Sequence, residues 1–237
     1  AFLIYHTLKT AFPRWDHEKW YLSIPFVATI LFVLHPLHVE AVANIKGRDE
    51  IMTMLGAFFA LYTSIQFVIT RKKYYLLLSF LGILFSLFSK ENGITFLAVV
   101  PLVLYFMDSK PQKWDYFWTL IPLFIGSAIF LYVRYRALGS MMATEEVPQI
   151  LNNPFLHATF GEKIATVLYT WAIYLKLMIF PHPLTHDYYP HQIEITNFSN
   201  PVVLLVLLGI IGLIYLIIKG FRKKTLIALA ISYFIIT

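Results

Sequence analysis

Long apolar runs separated by short polar loops fill almost the whole chain of 237 residues. A helix needs about 20 apolar residues, within a working range of ~17–25, to cross the ~30 Å hydrocarbon core of a bilayer. Apolar residues make up 59% of the chain and charged residues 14%, against about 45–50% and about 25% in soluble domains. The pattern therefore predicts an all-α, polytopic bundle of transmembrane helices embedded in a lipid bilayer. The runs that reach or approach a spanning length are residues 21–34, 51–70, 74–88, 94–107, 116–133, 164–181 and 201–218.

The composition also excludes several functional classes. The absence of cysteine excludes a disulfide scaffold, thiol catalysis and Cys-ligated zinc. The 19 Lys and Arg outnumber the 13 Asp and Glu, but they lie in short interhelical loops, so we expect no nucleic-acid partner. The apolar segments 1–12 and 226–237 are incomplete spans, which indicates a piece of a longer chain.

Basic residues in the loops orient the helices, because cytoplasmic loops are enriched in lysine and arginine. With Arg71, Lys72 and Lys73 on the cytoplasmic side, the loops 35–50 and 90–91 lie outside. Six of the eight histidines then fall in outer loops. We therefore expect the functional chemistry on the outer face.

The region 134–200 has two interpretations. If residues 164–181 cross the membrane, the basic residues 219–224 lie outside, against the charge rule. If residues 164–181 lie in the membrane interface, those basic residues return to the cytoplasm. Lys176 and several interfacial aromatic residues in the run favour the second interpretation. We therefore expect residues 134–200 to form an outer loop region with an interfacial helix.

The loop after the first complete apolar run contains a group of polar residues. His35 and His38 are three residues apart, Glu40 follows, and Pro36 blocks a regular helix through His35. Two imidazoles and a carboxylate can hold a divalent metal, or can bind phosphate and orient a sugar. At a lipid–water boundary the same residues can also lack a function. Arg48 suits an anionic ligand, because its guanidinium binds phosphate oxygens in pairs.

Two further positions place charge near the outer membrane surface. Lys90 and Glu91 lie between two runs that are short for complete spans, so their turn is expected below the surface, where ionisable residues mark sites. Arg134 and Arg136 follow an apolar run on the outer side, against the charge bias, and indicate an anionic partner. The alternatives are a Lys90 side chain that reaches to water and arginines paired with the acids that follow them.

A last candidate lies in a segment rich in proline and aromatic residues. Asp187 is followed by two tyrosines and then by a proline. An acid beside aromatic rings suits sugar recognition, although tyrosines are also common at membrane interfaces. No glycine-rich phosphate loop, serine-nucleophile elbow or HExxH motif accompanies these residues.

Four stretches, in this order, resemble signature motifs of one family, the transmembrane-and-tetratricopeptide-repeat (TMTC) O-mannosyltransferases and their bacterial relatives. They are residues 35–43 with 47–49, 89–94, 153–155 and 181–188. The resemblance covers about residues 1–189 and favours a bacterial relative. It implies that the whole chain is part of one GT-C-like transmembrane domain, truncated at both ends.

The resemblance also implies a function. Such an enzyme moves a mannose-like sugar from a polyprenyl-phosphate donor to a protein hydroxyl on the outer or lumenal side of the membrane. The expected membrane is the bacterial inner membrane, or the endoplasmic reticulum membrane in a eukaryote. The family's catalytic carboxylate is expected ahead of this chain, so the chain alone is expected to be inactive. The expected donor-binding or supporting residues are His35, His38, Glu40, Arg48, Lys90, Glu91, Arg134, Arg136 and Asp187, with a divalent metal at His35, His38 and Glu40 left open.

Two other classes stay open. A transporter or flippase for a lipid-linked or anionic solute would line a path with the same charges, and its cavity would open alternately to both sides. A non-catalytic anchor for a repeat domain would tolerate substitution of the loop residues.

Overall fold

The computed structural model describes residues 1–139, 155, 158–185 and 193–237. All regular structure within these ranges is helical, which confirms the prediction of an all-α membrane protein. The chain divides into two compact units, Ala1–Met141 with Gly220–Thr237 and Met142–Lys219.

The helices follow the apolar runs. The first unit contains α1 (Phe2–Ala11), α2 (Ile24–Leu34), α3 (Val39–Ala43), α4 (Arg48–Thr70), α5 (Tyr74–Ser89), α6 (Phe96–Phe106), α7 (Lys113–Leu138) and α10 (Leu226–Ile236). The second unit contains α8 (Phe160–Ile179) and most of α9 (Pro201–Phe221).

Three helices of the described residues are long and apolar enough to cross a membrane, namely Ile45–Thr70, Lys113–Leu138 and Pro201–Phe221. A fourth span results if α2 and the segment Pro36–Ala43, bent by 52°, count as one broken helix. The bend follows from Pro36, which lacks an N–H and disfavours a helical conformation in the residue before it. His35 is accordingly extended, with φ −68° and ψ 124°.

The core of the first unit is built on a close crossing of α4 and α5. A Cβ atom on Gly56 would lie 2.7 Å from the carbonyl oxygen of Gly82, so only small residues fit this crossing. The Ser86 hydroxyl donates to the Thr53 carbonyl at 2.8 Å. A Cβ atom on Gly93 would lie 2.2 Å from the Ser86 Oγ, so the turn after α5 lies directly against its last turns. These contacts fix the start of α4 beside the end of α5.

Ion pairs hold together the opposite end of the first unit, which we name the Arg71 end. Arg71 pairs with the fully buried carboxylate of Asp115 at the start of α7. Arg14 contacts Asp108 at 3.1 Å and donates to the Lys224 carbonyl at 3.3 Å. Basic residues from three loops therefore share one end. The interfacial interpretation of residues 164–181 requires this placement of Lys224, and the membrane position of α8 stays a prediction.

Candidate functional site

The turn after α2 places two imidazoles near each other. The segment Pro36–His38 forms a single 3₁₀ turn, and the His35 Nδ1 accepts from the Leu37 N–H at 3.3 Å. The ring centroids of His35 and His38 lie 6.2 Å apart. The His38 ring also packs on Phe32, with 4.2 Å between the centroids.

The geometry gives the metal interpretation no support. Glu40 is exposed on α3, and no three His, Asp or Glu side chains gather as metal ligands anywhere in the described ranges. His35, His38 and Glu40 therefore do not fit a divalent metal. Arg48, also exposed, begins α4 and makes no ion pair to a described residue.

Three helix ends meet in a group of five charged side chains, which we name the Lys90 cluster. Lys90, after α5, pairs with Glu50 and lies 3.9 Å from Asp49, and both acids are in the first turn of α4. Arg134, near the end of α7, pairs with Glu91. The structure thus joins two predicted positions that are more than 40 residues apart in sequence.

The sequence did not indicate the partners found within the Lys90 cluster. Lys90 pairs with Glu50, and Arg134 pairs with Glu91. The acids after α7 lie outside the described residues. Arg136 is exposed, with its Nη1 3.5 Å from the Tyr132 hydroxyl. The two predicted arginines therefore have different surroundings, and only Arg134 belongs to the cluster.

The electrostatics of the Lys90 cluster are those of a nearly neutralised site. The hydrogen bond to Glu50, with attraction from the neighbouring carboxylates, raises the pKa of Lys90 above its ordinary value. Lys90 is therefore fully protonated at neutral pH. Three carboxylates against two cations leave the cluster with one net negative charge.

Sequence reasoning missed Asp49 and Glu50 as members of the site. Two acids in the first turn of a helix are ordinary features that complement the helix dipole, so they gave no functional signal. Their position directly after Arg48, in a loop that already held candidate residues, was the available indication.

A cavity of about 500 Å³ adjoins the Lys90 cluster within the first unit. Most of its lining is apolar, from α1, α2, α4 and α6, and its polar side chains include His38, Glu50, Asn92 and Thr95. The His38 Nδ1 is buried and has no hydrogen-bond partner among the described residues. The arrangement can therefore receive a mostly apolar ligand with a polar group at the Glu50 side. Asp187 lies outside the described residues.

Comparisons with known proteins place the chain near one group of enzymes. It is 29% identical over 175 residues, 73% of this chain, to a protein O-mannosyl-transferase of Caenorhabditis elegans, of which it spans 23%. It is 36% identical over 39% of its length to the protein O-mannosyl-transferase TMTC1 of Mus musculus, and 33% identical over 48% to that of Homo sapiens. It spans 11% and 14% of those two proteins.

No protein-family model and no solved structure matches the chain. The chain spans less than a quarter of the length of the curated relatives named above. Their similarity supports a TMTC-like relationship, as the four motifs predicted.

Proposed function

We propose that this chain forms the donor-binding part of a membrane glycosyltransferase. The enzyme moves a mannose-like sugar from a polyprenyl-phosphate donor to a protein hydroxyl on the outer or lumenal side of the membrane. The observation that carries the proposal is the apolar cavity beside the Lys90 cluster. The names of the similar proteins, all protein O-mannosyl-transferases, support it.

The reaction determines which residues are needed. The acceptor oxygen forms a bond to the anomeric carbon, the bond from that carbon to the phosphate oxygen breaks, and the polyprenyl phosphate leaves with the electron pair. A carboxylate takes the proton of the acceptor hydroxyl. Fixed positive charge at the membrane surface stabilises the leaving phosphate.

The cations near the cavity are candidates for this stabilisation. Lys90 and Arg134 are held at helix ends by ion pairs, so their ammonium and guanidinium groups are already positioned. Arg48 is exposed and makes no ion pair to a described residue, so it can bind the phosphate oxygens directly. Arg136 is a more peripheral candidate. Glu91 acts by holding Arg134.

The loop residues are assigned to positioning of the donor. His38 lines the cavity with a buried Nδ1 that has no partner among the described residues and can make one hydrogen bond to a ligand. His35 fixes the turn that carries His38. Glu40 is exposed and can meet a sugar hydroxyl. We assign the base to none of these residues.

The test uses the full-length parent protein in detergent with polyprenyl-phosphate mannose and a panel of acceptor proteins. Lys90→Ala should lower sugar transfer by about 100-fold or more, the usual cost of removing a charge that stabilises a leaving oxyanion. Glu40→Gln should also lower transfer. Lys19→Ala and Glu18→Gln, which alter exposed residues of the loop before α2, are the matched controls and should retain activity.

The outcomes separate the functional classes. Full transfer by Lys90→Ala would refute the role of Lys90. The absence of transfer from any of several lipid-linked sugars, with the protein intact, would refute the transferase and favour the transporter. Loop variants that all retain full function would favour the anchor.

A further inference from the structure

One of the cations proposed to stabilise the donor phosphate, Lys90, is covered by a carboxylate of its own chain. Glu50 contacts Lys90, and it is Glu50, not Lys90, that lines the cavity. A phosphate that enters the cavity therefore meets a carboxylate before it meets the ammonium group. Glu50 therefore competes with such a phosphate for the Lys90 ammonium group.

The net charge of the Lys90 cluster also favours movement of Glu50 away from Lys90 when a phosphate binds. The Lys90 cluster already has one net negative charge, and a phosphodiester donor adds another. The carboxylate and the phosphate repel each other at short range, and this repulsion is stronger at a partly buried site than in water. The phosphate therefore binds more strongly when Glu50 moves away from Lys90.

We propose that Glu50 is a displaceable counter-anion, which occupies Lys90 while the cavity is empty and yields it to the phosphate of the donor. This inference rests on the proposed function and deepens it. One ionic contact is exchanged for another, and no covalent bond changes. Glu50 is thus a positioning residue that lowers the affinity for the donor while it holds Lys90 in place.

The neighbouring carboxylates are less suited to this role. Asp49 lies farther from Lys90, at 3.9 Å, and accepts the backbone N–H of Glu50 at 2.8 Å. Glu91 is held by Arg134. The Glu50 side chain is 46% exposed, and ion pairs at such exposure contribute little and separate readily.

The experiment measures equilibrium binding of a polyprenyl monophosphate to the full-length parent in detergent, with the neutral polyprenol of the same length as a second probe. Glu50→Gln should bind the phosphate about five- to tenfold more tightly, because it loses both the competing ion pair and the repulsion. Lys90→Ala should bind it at least about tenfold more weakly. Glu18→Gln makes the same change of charge at an exposed position and should leave binding unchanged.

Unchanged or weaker phosphate binding by Glu50→Gln would overturn the inference, as would an equal gain for the neutral polyprenol. If Glu50→Gln does not fold, Glu50→Asp tests the same point, because its shorter side chain weakens the pair and should give a smaller gain. If Lys90→Ala binds the phosphate normally, the proposed role of Lys90 fails as well. If Lys90→Ala weakens phosphate binding but Glu50→Gln does not strengthen it, the proposed exchange is wrong and the role of Lys90 stands.

Discussion

Substitution of Gly56 by alanine tests the packing that aligns the Lys90 cluster. The new Cβ atom would lie 2.7 Å from the Gly82 carbonyl oxygen and 2.7 Å from the Ser86 nitrogen. Both are backbone atoms, so no side chain can rotate away. To restore an ordinary contact of 3.4 Å, α4 and α5 must separate locally by about 0.7 Å. Overpacking of this kind costs about 1–3 kcal/mol.

Gly209 in α9 offers a matched control, because a Cβ atom there meets nothing within 4 Å. Gly209→Ala should stabilise by about 0.5–1 kcal/mol through helix propensity alone. Gly56→Ala gains the same helix propensity, so the two variants are expected to differ by the packing cost, about 1–3 kcal/mol.

The assay is equilibrium unfolding of the detergent-solubilised full-length protein in mixed micelles, followed by circular dichroism as the denaturing detergent is increased. Separation of α4 and α5 should also weaken the hydrogen bond from Ser86 to Thr53 and loosen the start of α4. Equal stability of Gly56→Ala and Gly209→Ala would refute the packing argument.

Three further variants test other contacts. Asp115→Ala removes the buried carboxylate that pairs with Arg71 and caps α7. The free energy of unfolding should fall by about 1–3 kcal/mol, and an unchanged unfolding midpoint would contradict this. The hydrogen bond from the Thr159 backbone N–H lowers the pKa of the Glu162 carboxyl below its ordinary 4.5. The ionised carboxylate therefore stabilises the start of α8 above pH 4.5, and this stabilisation is lost as the pH falls through the lowered pKa. The protection of the first turn of α8 against hydrogen exchange, measured relative to the intrinsic exchange rate at each pH, should fall on acidification in the parent and depend less on pH in Glu162→Gln. Gly93→Ala places a Cβ atom 2.2 Å from the Ser86 hydroxyl and should destabilise by about 1 kcal/mol, and adding Ser86→Ala should recover stability if the clash is the cause.

The helices could be predicted from apolar run length because a backbone in lipid must satisfy its hydrogen bonds internally. The run 74–88 became α5, Tyr74–Ser89, almost unchanged. The run 116–133 became the longer α7, Lys113–Leu138. Hydropathy indicates which residues face lipid and not where a helix ends, and a capping box of Gln112 and Asp115 starts α7 before its apolar part.

The individual ion pairs could not be predicted from the sequence. The partner of Lys90 depends on how far α4 and α5 are shifted along each other, and the glycine crossing at Gly56 and Gly82 sets this shift. A change of one helical turn moves a side chain by about 5.4 Å, enough to replace one partner with another. The pairing of Lys90 with Glu50 is thus a consequence of tertiary packing, although each residue type was visible in the sequence.

The two ends of the first unit use ion pairs in physically different ways. At the Arg71 end, the carboxylate of Asp115 is fully buried and accepts from both the arginine and its own helix start. Removal of Arg71 would leave the buried carboxylate of Asp115 without its cation, so this pair is structural. At the other end, the Lys90 and Glu50 side chains are 34% and 46% exposed, and solvent can replace each contact as it breaks.

That difference matches what a phosphate site at a membrane surface requires. An unpaired lysine beside apolar helix ends is costly, so the empty site needs a counter-anion. A counter-anion as tightly held as Asp115 would exclude the ligand. In the proposed exchange, an exposed glutamate at the edge of the cavity holds the lysine in place and leaves when a phosphate arrives. The affinity for the donor would then be the difference between two comparable ionic contacts. On this argument Glu50 is the position where a single change of charge should strengthen donor binding, whereas substitution of Lys90 should weaken it.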